Sequence, residues 1–172
     1  TDRSVKWNVN QVNWSVLKNL ATVPSTPSKE VIAAQVPPLP WFEWSKSWSG
    51  NLLQPRDNTA DGNKQYGRET AAKFGQVGLW LNTSQPLADK RPIAIQLIQN
   101  GIDIYAYVAN GGGFYHDGGH KCGRKLPLVM AAMLLNDSSL KTMAANPDIF
   151  QEDTQTFFVT QSDVGRALDP GA

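Results

Sequence analysis

Residues 110–136 read NGGGFYHDGGHKCGRKLPLVMAAMLLN, a glycine-laden polar loop running straight into an apolar segment. From Leu126 to Leu135 that segment is hydrophobic on nearly every side, the pattern of a helix buried at the centre of a packed domain. It is too short to cross a bilayer. The loop before it carries both histidines of the chain, His116 and His120, its only cysteine, Cys122, and the polar groups of Tyr115, Asp117, Arg124 and Lys125. Six glycines lie between Asn110 and Lys125. They contribute no side chain to a core, so the path must need positive φ or close approach to another group. Residues 111–124 therefore read as a functional loop carried between stiff helices.

Working outward, the spacing predicts a long helix from about Ala88 to Asn110. Ile95, Ile98, Ile102, Tyr105 and Val108 form its apolar stripe, widened by Ile93, Leu97 and Ile104. Pro92 is placed near its first turn, where a missing N–H is tolerated. The short connector Thr83-Ser84-Gln85-Pro86 makes its antiparallel neighbour the helix before it, Tyr66 to Leu81. That helix turns Ala71, Phe74, Val77, Gly78 and Leu81 inward, and Gly75 and Gly78 leave room for a close neighbour. Downstream, Asn136-Asp137-Ser138 closes the central helix and opens another, which Pro147 ends.

Nearer the start, Val12, Val16, Leu17 and Leu20 recur at helical spacing, with Asn13 or Ser15 as a cap. Ser28 opens a short helix through Ala34, and Val36–Pro40 is an extended crossing segment. Trp41, Trp44 and Trp48 share one face of a helix between Pro40 and Gly50, and residues 51–65 are a polar loop. Thr156–Thr160 is the one β-like run. The fold class is mainly all-α, built of antiparallel helix pairs with little β, over a single helical domain spanning 1–172.

Composition narrows the function classes. The formal net charge is +1 and the basic residues do not gather into a stripe, so no nucleic-acid backbone binder is expected. A single cysteine rules out an internal disulfide framework. No P-loop, dinucleotide fingerprint or zinc-finger spacing occurs, and no cofactor is expected. The chain begins at Thr1 without methionine and finishes in GRALDPGA without a closing element. Both ends read as cut from something longer.

Three segments together carry a resemblance: YGRE at Tyr66–Glu69, DGGHKCGRKLPLVMAAMLLND at Asp117–Asp137, and QEDTQTFF at Gln151–Phe158. They resemble uncharacterised secreted bacterial proteins with a GGH-x-x-GRK-x-P helix and a downstream E-D-x-Q-T segment, over about residues 40 to 160. The helix-pair layout of those longer proteins is similar to the (α/α) toroids of polysaccharide lyases and some glycoside hydrolases. The resemblance implies an incomplete toroid, of which this chain is an N-terminal portion needing another chain or the remainder of a longer polypeptide. It also implies a secreted or extracellular setting and a polysaccharide partner.

Several chemistries fit the loop. His116, Asp117 and His120 have the donor types of a zinc set, yet Gly118-Gly119 prevents the helical presentation of two histidines and no fourth ligand is at hand. No metal is expected. Histidines that only satisfy orphan backbone groups of the turn are the plain structural reading. Acid–base work is the sharper one: imidazole has the intrinsic pKa for proton transfer near neutrality, which suits His120 and His116, and Tyr115 can act as acid or second base. Arg124 and Lys125 can neutralise a uronate carboxylate, which a β-eliminating lyase requires. Arg124 also sits at a helix N-terminus, where a cation is disfavoured, and so wants a partner in Glu152, Asp153 or a substrate.

Glu152 and Asp153 offer a carboxylate for glycoside hydrolysis, with Asp117 or Asp103 as the second. Trp44 and Trp48 can stack on sugar rings or simply bury their helix. Arg68 either lines the same cleft or pairs with an acidic neighbour. Cys122 lies in a basic neighbourhood that favours thiolate. The expected activity is cleavage of a uronate-containing polysaccharide by β-elimination. Hydrolysis by an Asp/Glu pair and a non-enzymatic scaffold in a secreted or virion assembly are the alternatives.

Overall fold

The computed structural model describes residues 7–36, 67–114, 121–154 and 161. Among these the chain is 62% helical and has no strand, so the all-α expectation holds. The helices are α1 (Lys29–Ala33), α2 (Gly67–Leu81), α3 (Leu87–Ala109), α4 (Lys125–Leu134), α5 (Ser138–Ala144) and α6 (Gln151–Thr154). The tryptophan helix, the 51–65 loop and the Thr156–Thr160 run lie outside the described residues.

The central position of α4 is as its composition predicts. Leu128 and Leu134 are wholly buried, and Pro127, Met130, Ala131 and Ala132 are buried with them. Its principal neighbour is α3, then α5, and α2 packs more on α4 than on α3. The short connector therefore does not make α2 and α3 each other's main partners. The reason lies at Gly101. A Cβ there would stand 2.2 Å from the Pro127 carbonyl oxygen and 2.7 Å from the Ala131 Cβ, so only glycine lets the two backbones meet. Gly75, by contrast, faces open space.

That contact also decides which face of α3 is inside. Ile93, Ala94, Leu97, Ile98, Asn100, Gly101 and Ile104 are buried, whereas Ile95 is 41% exposed and Ile102, Tyr105 and Val108 are only partly covered. The predicted stripe is thus rotated: α3 is apolar enough all round that periodicity alone misplaces the seam. Pro92 lies beyond the first turn, inside the helix. It is on the exposed side, where water can meet the carbonyl left without a donor.

The first described segment is a strap rather than an amphipathic helix. It forms two 3-10 turns, Val9–Gln11 and Trp14–Val16. The Asn8 and Asn13 side chains cap these turns, a local bonding that competes with a continuing helix. The strap is fastened along its length: Asn13 N–H donates to the Leu134 carbonyl at 2.7 Å and Trp7 Nε1 to Asp137 Oδ2 at 3.0 Å. Further on, the buried Lys90 ammonium donates to the Lys18 carbonyl at 3.0 Å and to Asn19 Oδ1 at 3.3 Å. Arg91 lies over the Trp14 ring.

Helix ends are closed by backbone geometry. At the end of α4, Asn136 takes φ 52°. The N–H groups of Asp137 and Asn136 return to the carbonyls of Ala132 and Met133, a Schellman closure. Asp137 then caps α5 by accepting from Leu140 N–H at 3.0 Å.

Gly101→Ala should lower unfolding free energy by about 1–3 kcal/mol, the range for overpacking, while Gly75→Ala should raise it by about 0.5–1 kcal/mol. Urea titration of both variants checks the pair. The Leu140 N–H bond, and then the Trp7 indole, hold the Asp137 carboxyl below its ordinary 3.8 against the cost of burial. A depressed acid stabilises above its unfolded value and loses that contribution as pH falls through the folded one. Asp137→Ala should therefore cost about 1 kcal/mol at pH 7, with the gap to wild type closing below pH 3.8 in pH-dependent melting.

Candidate functional site

The loop between α3 and α4 departs and returns under tight control. At its start, Gly111 takes φ 91°, and the N–H groups of Gly111 and Gly112 donate to the Val108 and Tyr107 carbonyls, closing α3 by a second Schellman turn. Gly112 lies against the Tyr107 ring, which a Cβ would meet at 2.3 Å. These two glycines serve the helix end. Phe114 is wholly buried; its N–H donates to the Ile149 carbonyl at 2.8 Å. Its ring stacks on that of Phe150, centroids 5.6 Å apart.

At the far side of the loop Lys121 is buried, and its N–H donates to Gln151 Oε1 at 3.0 Å. Gly123 takes φ 90°, and a Cβ on it would stand 2.5 Å from the Ala71 nitrogen. Glycine is required here twice over, by conformation and by contact with α2.

Glu152 governs the start of α4. Its Oε1 accepts from Gly123 N–H at 2.7 Å and from Lys125 N–H at 3.0 Å. The residue in the N-cap position is Arg124, which makes no side-chain cap, so the carboxylate meets the open amides and the positive end of the helix dipole from outside. Arg124 is 5% exposed and its Nη1 donates to the Cys122 carbonyl at 2.5 Å. Burial pushes its guanidinium down to about 10, with Glu152 and then Cys122 pulling the other way; the group stays cationic at neutral pH. Lys125 pairs with Asp153.

The cluster thus gathers Arg124, Lys125, Glu152 and Asp153 of the sequence-derived set. Gln151, Lys121 and Phe114 belong to it as well; the first two lie within the segments that carry the resemblance, but nothing in those segments assigns either a role. Arg68 stands in the first turn of α2, whose Thr70-Ala71 backbone touches Gly123. It is exposed and pairs with the adjacent Glu69, Nε to Oε1 at 2.6 Å. Cys122 departs from the thiolate expectation: burial, then Glu152, raises its thiol. Tyr115, His116, Asp117 and His120, with Trp44 and Trp48, lie outside the described residues.

Among the described residues no group of three or more His, Cys, Asp and Glu could hold a metal ion. No described helix is long and apolar enough to cross a membrane. Comparison with protein-family models, curated proteins and solved structures gives no match for this chain.

What the described part of the cluster can do is hold shape. Two backbone N–H groups on one carboxylate oxygen, beside a buried arginine, make a rigid platform under the loop's second end. Glu152→Ala should lower unfolding free energy by about 1–3 kcal/mol, because it leaves buried donors unmet. Glu152→Gln, which keeps an acceptor but not the charge, should lose less. Chemical denaturation at neutral pH ranks the two.

Proposed function

We propose that this protein engages an anionic, uronate-containing polysaccharide at the loop between α3 and α4 and cleaves it by β-elimination. The observation carrying the proposal is the double tether. Phe114 and Lys121, which bracket the segment with Tyr115, His116, Asp117 and His120, are both bonded to the single stretch Ile149–Gln151. Ends held this firmly fit a loop whose titratable groups must meet a ligand in fixed geometry.

In this reading His120, with His116 four positions before it in sequence, takes the proton on the carbon next to the uronate carboxylate. The released electron pair forms the carbon–carbon double bond and the bond to the leaving glycosidic oxygen breaks. Tyr115 returns a proton to that oxygen. A carboxylate-neutralising cation is also needed. Arg124 is buried and the Lys125–Asp153 pair is largely covered, whereas Arg68, though paired with Glu69, is exposed and so is best suited to reach the substrate. Trp44 and Trp48 would supply sugar-stacking platforms. The setting is extracellular, where such polymers lie.

The chain would work within a larger toroid-like assembly. Supporting this, Leu20, Val23 and Leu79 are 53%, 59% and 65% exposed around a hollow of about 320 Å³ beside α2, an apolar face suited to further helices from another chain or segment.

A second reading, a non-enzymatic scaffold, is favoured by one observation: Arg124 and Glu152 are both engaged in holding the start of α4. The test is incubation with uronate polymers while following the ultraviolet absorbance of unsaturated product. Wild type should generate it, His120→Ala should lose about 100-fold or more in kcat, and Arg68→Ala should raise KM. Reducing ends without the chromophore would transfer the case to hydrolysis by an Asp/Glu pair, and no product from any polymer would leave the scaffold reading.

A further inference from the structure

Away from the loop, the end of α2 carries a face of exposed apolar side chains held in fixed positions. Segment 20–27 is pinned there at both ends. Leu20 N–H donates to the Asn82 carbonyl at 2.9 Å, and the Leu20 carbonyl accepts from Ser84 N–H at 2.7 Å. Trp80 Nε1 donates to the Pro27 carbonyl at 3.1 Å. Between these pins a turn fixes Val23: its N–H donates to Thr26 Oγ1 at 2.9 Å and its carbonyl accepts from Thr26 N–H at 2.8 Å. The segment so held stands off α2 around the hollow of about 320 Å³, with Trp80 in its wall. Leu20 and Leu79 line this hollow and also a second one, of about 400 Å³, towards Leu126 and Met130 of α4. They form a ridge between the two, each more than half exposed.

Apolar groups kept in water cost free energy, and groups already pinned have little freedom left to lose on docking. A contact between two copies about a two-fold axis requires a patch that fits itself, so that what protrudes on one copy finds a recess on the other. Here protrusion and recess lie side by side, a leucine ridge next to a hollow large enough for a leucine side chain. The axis also sets each charge near it against its own copy, and like charges so placed repel. Among the described residues that line either hollow, none is charged. That neutrality gives an ionic ligand or a charged peptide nothing to pair with, and it removes the usual obstacle to self-pairing.

We infer that this face pairs with a second copy of the chain, the Leu20–Leu79 ridge of each protomer seated in the hollow of its partner. The pairing gives the apolar face beside α2 a specific occupant, and it does not depend on β-elimination.

Sedimentation velocity from micromolar to near-millimolar concentration should show a reversible monomer–dimer equilibrium. Leu79→Glu would carry a charge into the apolar hollow, and should raise the dimer dissociation constant by about 100-fold or more. Leu79→Ala should raise it by about tenfold. Ile95→Glu, the same kind of change at an exposed position of α3 that lines neither hollow, should leave the dimer intact. If Leu79→Glu does not fold, Val23→Glu, on the rim of the same hollow, carries the same measurement. A monomer at every concentration would overturn the inference and leave the face to another segment of the polypeptide or to a different partner. So would a dimer that Leu79→Glu weakens no more than Ile95→Glu does, since the contact then lies elsewhere. Growth past two copies would mean a contact that does not close on itself, and overturns the pairing as well. Absence of unsaturated product from uronate polymers bears on the loop alone and leaves this equilibrium to be read independently.

Discussion

A buried helix that begins with two cations cannot satisfy its own first turn. In α4 neither Arg124 nor Lys125 can accept a hydrogen bond through its side chain, yet the helix lies at the centre of the fold, packed by α2, α3 and α5. The carboxylate must come from elsewhere, and Glu152 brings it across 27 residues of chain to Lys125. Much of the local architecture follows from that requirement. The stretch Ile149–Asp153 has to lie against the start of α4, which puts Phe150 on Phe114, Gln151 on Lys121 and Asp153 on Lys125. The burial of Arg124 is the other half of the same arrangement: its charge is tolerated inside because a carboxylate is already beside it.

The sequence carried some of this in plain form and hid the rest. An apolar decamer at Leu126–Leu135 announces a central helix, and Asp137 after Asn136 announces a cap. Arg124 at a helix start posed an electrostatic problem whose answer, Glu152, was among the few acids offered. The seam of α3 was not legible, because Ile93, Ile95, Ile98 and Ile102 populate more than one face. What selects among them is the Pro127 carbonyl pressing on Gly101, a partner that periodicity does not see. The strap departs from its helical spacing for a related reason. Val12 and Leu17 do bury, but two asparagines bond their own neighbours and cut the helix short. Gln151 could not be found from sequence at all: nothing in a lone glutamine marks an amide 30 residues earlier.

The glycines of the loop separate by role. Gly111 closes α3 and Gly112 clears the Tyr107 ring, so both belong to the helix that precedes the loop. Gly123 combines a left-handed turn with contact against α2. Much of the glycine richness in the described part thus answers to helix ends and backbone contacts. The proposed chemistry therefore draws on the tethers and on the identity of the polar residues between them, not on glycine content as such.

The fastening of the strap has an environmental side. Lys90, itself buried, grips the exposed residues Lys18 and Asn19 through a carbonyl and an amide oxygen, both neutral acceptors. Dissolved ions weaken attraction between exposed opposite charges, as in the Lys29–Asp89 pair at the surface. They have far less purchase on a buried ammonium held by dipoles. The N-terminal wrap should accordingly hold as firmly in brine as in dilute buffer, while peripheral charge pairs slacken around it.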